Sequence, residues 1–435
     1  MGRVLTSEVK NHIGEEVLIE GWVHAVRDLG SVCFLIVRDR GGLVQAVLTS
    51  REEVAKLDNL YTGTVVAVKG KAAENSKSKA GFELQDATVE VLRAVKFPSP
   101  VDISKSELHV EQDTLFDERV VTLRHPSQSM IFKVAAVVEK NMRKYFDEHD
   151  FTQINSPKII AFPTEGGSEV FEVQYFDRKV YLAQSPQFYK QIMVPVFERV
   201  YEIGRAYRAE KSNTSRHMSE ILMLDMEMGF IDSFEDIIIF IEDFVSKVIK
   251  DTWAESELKL KSLNAEMPLI PEKFPRITVK DLHELMKKET GKDYTAERDV
   301  SPDEERFVCE YAKKNWQSDF IFVLEFPWSD AKFYHHQNKE NPEVTDRGDL
   351  LFRGVEIATL TQREVGYDKL LEQIKTKGYD ANHPGLKSYL DAFKYGMPDE
   401  GGFGFGIGRF VQKIIGLDNV KEVELFPRDV QRVTP

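Results

Sequence analysis

From Glu16 to Arg93 apolar and polar positions alternate with a period of two, in the runs EVLIEGWVHAV, CFLIVR, LVQAVL, TVVAVKG and FELQDATVEVLR. Such alternation predicts half-buried strands, and the clusters DLGS, DRGG and NSKSKAG between them predict turns. Five short strands in about 80 residues predict a small closed β-barrel, so residues 1–105 are read as a first domain. At FPSPVDIS (97–104) the alternation stops and charged residues follow, which reads as a hinge over 106–130. From Ile131 the period changes to that of a helix in IFKVAAVVEKNMRKYFDEH, and strand character returns in FTQINSPKII. Strand-like and glycine-rich pieces separated by helices continue to FGFGIGRFVQKIIGL, which makes 131–435 a second domain. Its stretch around 255–330 is charge-rich, partly helical and poor in motifs, and is read as an insertion.

The 435 residues are too many for one typical domain, which agrees with this division. A content of 42 % hydrophobic and 30 % charged residues is that of a globular protein. No apolar run approaches the roughly 20 residues of a membrane span, and MGRVLTSEVK lacks the apolar core of a signal peptide. A cytoplasmic protein without a membrane partner is expected. Cys33 and Cys309 stand far apart with no metal-ligand spacing, so neither a disulfide framework nor a zinc site is predicted. The net charge of −14 argues against a nucleic-acid binder, but residues 1–105 hold 14 basic and 14 acidic residues, so the whole deficit lies beyond them. The barrel segment is therefore where a polyanion would first meet the chain. A five-stranded barrel of this size also fits the OB-fold, which commonly holds single-stranded nucleic acid.

Three stretches carry candidate chemistry. GGFGFGIGR (401–409) is glycine-dense and runs into an apolar helix; it reads either as an anion-binding turn or as a tight strand-to-helix junction. GRAYRAEKSNTSRHMSEILMLDMEMGF (204–230) reads as a long hairpin presenting Arg205, Arg208, Arg216 and His217, and guanidinium groups suit phosphate oxygens. GVEIATLTQRE (354–364) alternates as a strand does, yet carries a carboxylate, hydroxyls and a guanidinium.

In chain order, INSPKI, FERVYEIGRAYRAE with RHMSEILMLDME, and GFGFGIGR resemble the three signature motifs of class II aminoacyl-tRNA synthetases, with Pro157 at the proline of the first. TEGGSEVF (164–171), QSPQFYKQ (184–191), RGVEI (353–357) and the terminal FPRDVQRVTP resemble the aspartyl-tRNA synthetases of archaeal type. The resemblance covers essentially the whole chain. It implies an α+β fold: an N-terminal OB-fold anticodon-binding barrel and a class II catalytic domain, an antiparallel β-sheet flanked by helices. It implies a homodimer formed through the Pro157 region.

The implied activity is ATP-dependent formation of aspartyl-adenylate from L-aspartate, then transfer to the 3′ end of tRNA(Asp), with tRNA(Asn) a further candidate acceptor. Such a reaction needs positioning and charge compensation rather than a protein nucleophile. The resemblance assigns catalysis to Arg208, Glu356 and Arg409. ATP falls to Arg208, Ala209, Glu210, Arg216, His217, Met218, Glu356, Gly406, Ile407, Gly408 and Arg409, and Mg²⁺ to Glu356 and Thr359. For aspartate it implies Glu165 and Gln187 at the ammonium, Lys190 and Arg363 at the side-chain carboxylate, Asp225 organising those cations, and Arg208 and Thr359 nearby. For the anticodon it implies Phe34 as a stacking base partner, Gln45 and Glu83 as hydrogen-bonding partners, and His24 and Lys79 as indicators of tRNA choice that point opposite ways.

The archaeal-type pattern reads close to EISSGGQREH, whereas this chain has EIATLTQREV, with Leu360 and Thr361 at the glycine positions and Val365 at the histidine. A leucine there is expected to crowd the aspartate site or shift the strand. Two other readings stay open: a paralogue serving another amino acid or a non-tRNA acceptor, and a non-catalytic tRNA-binding relative.

Overall fold

The computed structural model describes residues 2–30, 32–58, 60–78, 80–163 and 169–434. These form two units, 1–129 and 130–434, and the division falls inside one helix. In the first, β1 (Glu16–Asp28), β2 (Cys33–Asp39), β3 (Gly42–Leu48), β4 (Val65–Glu74) and β5 (Phe82–Arg93) close a barrel in the order β1-β2-β3-β5-β4. The alternation predicted this: Val17, Ile19, Leu35, Val37, Val44, Ala46, Val66, Val68 and Leu84 are buried together inside. Helices α1 (Arg51–Ala55), α2 (Gln112–Asp117) and α3 (Arg119–Thr122) complete the unit. The 106–130 stretch, read as a hinge, is partly helical and seats Leu115, Phe116 and a fully buried Arg119, which donates to Gln128 Oε1 at 3.0 Å. Its charged residues masked a small set of inward positions.

A bulge in β1 between Val23 and Ala25 turns His24 inward, where it is 5 % exposed. Burial, with Arg38 and His125 nearby, pulls its pKa down to about 4 against the partial opposition of Asp102. The native imidazole stays neutral while an unfolded one gains a proton below about pH 6.5, so this contribution to stability is lost as pH falls from about 6.5 to about 4. His24→Asn is expected to remove most of an acid-side loss of about 3 kcal/mol, read from denaturant unfolding at several pH values; an identical acid limb in both proteins would refute it.

The second unit is built on an eight-stranded sheet. Its strands are β6 (Thr152–Gln153), β10 (Arg199–Tyr207), β11 (Glu220–Gly229), β12 (Arg276–Thr278), β13 (Phe320–Leu324), β14 (Arg347–Phe352), β15 (Val355–Gln362) and β16 (Glu400–Gly406). They run in the order β12-β13-β14-β15-β16-β11-β10-β6, antiparallel except for the edge pairs β12/β13 and β6/β10. A separate small sheet holds β7 (Ile159–Ile160), β8 (Glu172–Tyr175) and β9 (Arg178–Leu182). One face of the large sheet is packed by α4 (Pro126–Glu148), α6 (Phe234–Ser262) and α11 (Ile407–Ile415), through Val134, Val138, Ile241, Phe244, Phe410 and Ile414. The other face carries α5 (Gln187–Phe197), with α9 (Tyr367–Thr376) and α10 (Pro384–Lys394) around Phe188 and Tyr389.

The 255–330 stretch, read as an insertion, holds both helices and strands. Its α7 (Val279–Thr290) and α8 (Pro302–Trp316) pack on β12 and β13, which are strands of the large sheet. FIFVL is buried on both faces and so shows no alternation to set it off from its charged surroundings. Among the described residues, no helix is long and apolar enough to cross a membrane.

Candidate active site

Successive residues of β11, β15 and β16 point to opposite sides of the sheet. Leu224, Met226, Ile357, Leu360, Phe403 and Phe405 enter the core. Met223, Asp225, Glu227, Glu356, Thr359 and the glycines 402, 404 and 406 take the other face. Pairing sets Asp225 beside Gly404 and Gly404 beside Thr359. A Cβ at Gly404 would stand 3.3 Å from both Asp225 Oδ1 and Met223 Cε, and one at Gly402 would collide with the Glu227 carboxylate. The glycine-rich run is therefore a strand whose phenylalanines fill the core and whose glycines leave the cleft floor bare for a ligand. At Gly406 the strand passes directly into α11, as the reading of a strand-to-helix junction expected, and Gly406, Gly408 and Arg409 line the cleft there.

This geometry also corrects the expectation for Leu360. It is fully buried in the core behind the sheet, so it does not crowd the cleft. Val365 packs in the apolar cluster of Phe188 and Leu370.

At one end of the floor two adjoining cavities share Arg216, His217, Glu356 and Arg409; Arg208, Glu210, Met218, Gly406 and Gly408 line the first of them. The Ala209 backbone nitrogen donates to Glu169 O at 2.7 Å, while the Ile407 side chain is turned into the core. A bulge between β14 and β15 puts Glu356 and Thr359, three residues apart, on one face, where the Thr359 hydroxyl donates to Glu356 Oε1 at 2.9 Å. Arg409 donates to Glu356 Oε2 at 3.2 Å. Burial alone would raise the Glu356 pKa, but Arg409, the Thr359 hydrogen bond, Arg208 and Arg347 together hold it below the usual carboxylate range.

Two acidic neighbours were not found by sequence reasoning. Asp349 pairs with Thr359 across β14 and β15; burial and the charge of Glu356 push it up to about 7 despite Arg347, 3.2 Å away. Its signal was a lone acid in the otherwise apolar GDLLF. Glu305, from α8, accepts from Arg216 and, at 3.0 Å, from the Glu356 backbone nitrogen. It lay in the stretch read as poor in motifs.

At the other end, α5 presents Gln187, Lys190 and Gln191 to the floor, spaced so that they share one helix face. Lys190, 1 % exposed, donates to Asp225 Oδ1 and to Phe403 O, both at 3.0 Å, and lies 3.5 Å from Glu227 Oε2. Arg363 forks onto Glu227 at 2.7 and 3.0 Å, with its guanidinium 5.6 Å from the Tyr334 ring. Glu227, Gln191 and Glu400 belong to this network and were also missed, because a charge in an apolar strand shows no partner in the sequence. Glu165 and Lys79 lie outside the described residues.

In the barrel, Phe34 is half-buried on β2 and Gln45 donates to Glu83 Oε2 at 2.9 Å across the parallel β3/β5 pair. Asn75 donates to the same oxygen at 2.6 Å. His24 is 5 % exposed, with the charges of Arg38, His125 and Asp102 close enough to act on it.

The chain matches tRNA synthetases class II (D, K and N) over residues 111–430, and an OB-fold nucleic acid binding domain over residues 17–92. It belongs to the class II tRNA synthetases of the D, K and N group. Among relatives in that group, it is 42 % identical over 433 residues to the aspartate–tRNA(Asp/Asn) ligase of Thermus thermophilus, with all of both chains covered. It is 39 % identical to the aspartate–tRNA(Asp) ligase of Thermococcus kodakarensis, over 99 % of each chain. A crystal structure of the asparaginyl-tRNA synthetase of Pyrococcus horikoshii complexed with asparaginyl-adenylate superposes with a TM-score of 0.91 at 29 % identity, covering both chains entirely.

Proposed function

We propose that the protein joins L-aspartate to ATP and passes the aspartyl group to the 3′ end of tRNA(Asp). The observation that carries this is the pair Lys190 and Arg363, two cations on the same floor as Arg208, Glu356 and Arg409. A carboxylate side chain gains charge-assisted hydrogen bonds from two such cations that a neutral carboxamide lacks.

In the first step an oxygen of the aspartate α-carboxylate attacks the α-phosphorus, the bond to the bridging oxygen breaks, and pyrophosphate leaves with that electron pair. Both reactants are anionic, so the residues act by holding them together and offsetting charge. Arg208 spans the α-phosphate and the attacking carboxylate; Arg216, His217 and Arg409 take the distal phosphates and, for Arg409, the adenine. Gln187 and Glu165 orient the ammonium. Mg²⁺ fits the remaining donors: Asp349, Glu356 and Thr359 offer hard oxygens, and Asp349 and Glu356 repel each other there. When bound, the ion supplies charge neutralisation to the phosphates. Phe34, Gln45 and Glu83 read the anticodon by stacking and hydrogen bonds, and two copies assemble through the Pro157 region.

ATP–pyrophosphate exchange with a panel of amino acids, followed by charging of tRNA(Asp) and tRNA(Asn), tests the proposal. Exchange with aspartate and charging of tRNA(Asp) is expected. Exchange with no amino acid would leave a tRNA binder, and aspartate exchange without charging would point to another acceptor.

A further inference from the structure

Glu400 opens β16 and is fully buried. One of its oxygens accepts from Gln191 Nε2 at 2.7 Å, and the other has no hydrogen-bond partner among the described residues. Gln191 accepts in turn from Gln187 Nε2 at 2.9 Å and from the Tyr389 hydroxyl at 3.1 Å. A hydrogen-bonded chain thus links Gln187, placed above at the substrate ammonium, to Glu400.

The surrounding charges do not balance. Lys190 and Arg363 face three carboxylates, Asp225, Glu227 and Glu400, and none of the five is more than 4 % exposed. Glu202, the next carboxylate along the floor, has its own lysine, Lys158, at 2.7 Å. With all five ionised the pocket carries one excess negative charge before any substrate enters, and burying an uncompensated charge is costly. A proton on one carboxylate removes the excess.

Glu400 is the one placed to carry it. Asp225 accepts from Lys190, and Glu227 takes both Arg363 hydrogen bonds, whereas no cation among the described residues lies within ion-pair distance of Glu400. Burial and the charge of Glu227 raise its pKa well above the usual carboxylate range, against weaker opposition from Gln191, Arg363 and Lys190. Tyr389, on α10, is the remaining titratable group facing it.

We propose that Glu400 sets the side-chain selectivity of the amino-acid pocket through its own charge: protonated, it lets Lys190 and Arg363 accept a carboxylate; ionised, it repels that carboxylate and tolerates a neutral carboxamide. This rests on the aspartate assignment above. The test is the KM for aspartate in ATP–pyrophosphate exchange from about pH 6 to about pH 9, for the wild type and Glu400→Gln. In the wild type KM rises roughly tenfold per pH unit once Glu400 ionises, KM for ATP stays level, and the inhibition constant of asparagine changes less. In Glu400→Gln the alkaline rise is absent. The ammonium of free aspartate titrates alike in both assays, so the difference belongs to Glu400. Gln191→Met gives a second reading: losing a hydrogen bond that favours the ionised form moves the rise to higher pH. Aspartate exchange with the same alkaline limb in all three proteins overturns the role of Glu400 and leaves the aspartate assignment standing. Exchange with another amino acid and not with aspartate overturns both.

Discussion

Arg208→Ala is expected to lower aspartate-dependent ATP–pyrophosphate exchange by about 10²–10³-fold while shifting the melting temperature by no more than about 2 °C. The two readouts separate because of what Arg208 holds. Its backbone nitrogen donates to Ser219 O at 2.9 Å, a bond alanine keeps. Its guanidinium makes one weak contact among the described residues, to Met223 Sδ at 3.9 Å, and otherwise lines the cleft. Little of the fold therefore depends on the side chain, and its charge serves the phosphates. A variant that exchanges within a few-fold of the wild type would remove Arg208 from the mechanism.

Lys190→Met should behave in the opposite way, losing both exchange and stability. Its ammonium is the partner of Asp225 at 3.0 Å and a neighbour of Glu227 at 3.5 Å, at a position 1 % exposed. Removing one partner of a buried ion pair leaves an uncompensated charge, at a cost of about 3–5 kcal/mol. The loss of aspartate exchange, about 10³-fold or more, could then be blamed on damaged packing. The double variant Lys190→Met/Asp225→Asn distinguishes the two causes. Removing the stranded charge should recover much of the stability in denaturant unfolding, while aspartate exchange stays lost because the cation is still missing. Recovery of exchange in the double variant would show that Lys190 is scaffold and not part of the pocket.

These contrasts mark where the sequence could be read and where it could not. The barrel was legible because each of its strands has one dry and one wet face, and period-two alternation states that directly. The arginine hairpin was legible because β10 and β11 pair with each other and their loop lies between them in the chain. GVEIATLTQRE was recognisable as a strand, but its neighbours β14 and β16 were not, so the side each residue faces was misjudged at Leu360. β13 escaped notice because burial on both faces erases alternation.

The candidate site divides along the same line. Arg208, Glu356 and Arg409 were found through motifs in which several residues are close in sequence. Glu305, Asp349, Glu227 and Glu400 were not, because an acidic residue in a strand or helix looks the same whether it meets solvent or a buried cation. The amino-acid sequence by itself determined the two-part organisation, the alternating strands of the barrel, the arginine hairpin, and the arginines and glycines of the cleft, since these depend on local periodicity and short motifs. Only the tertiary structure decided which carboxylates share the floor with Lys190 and Arg363, and that three of them do. That balance is set by residues up to 213 positions apart, as in the bond from Lys190 to the Phe403 carbonyl, and by their common removal from water.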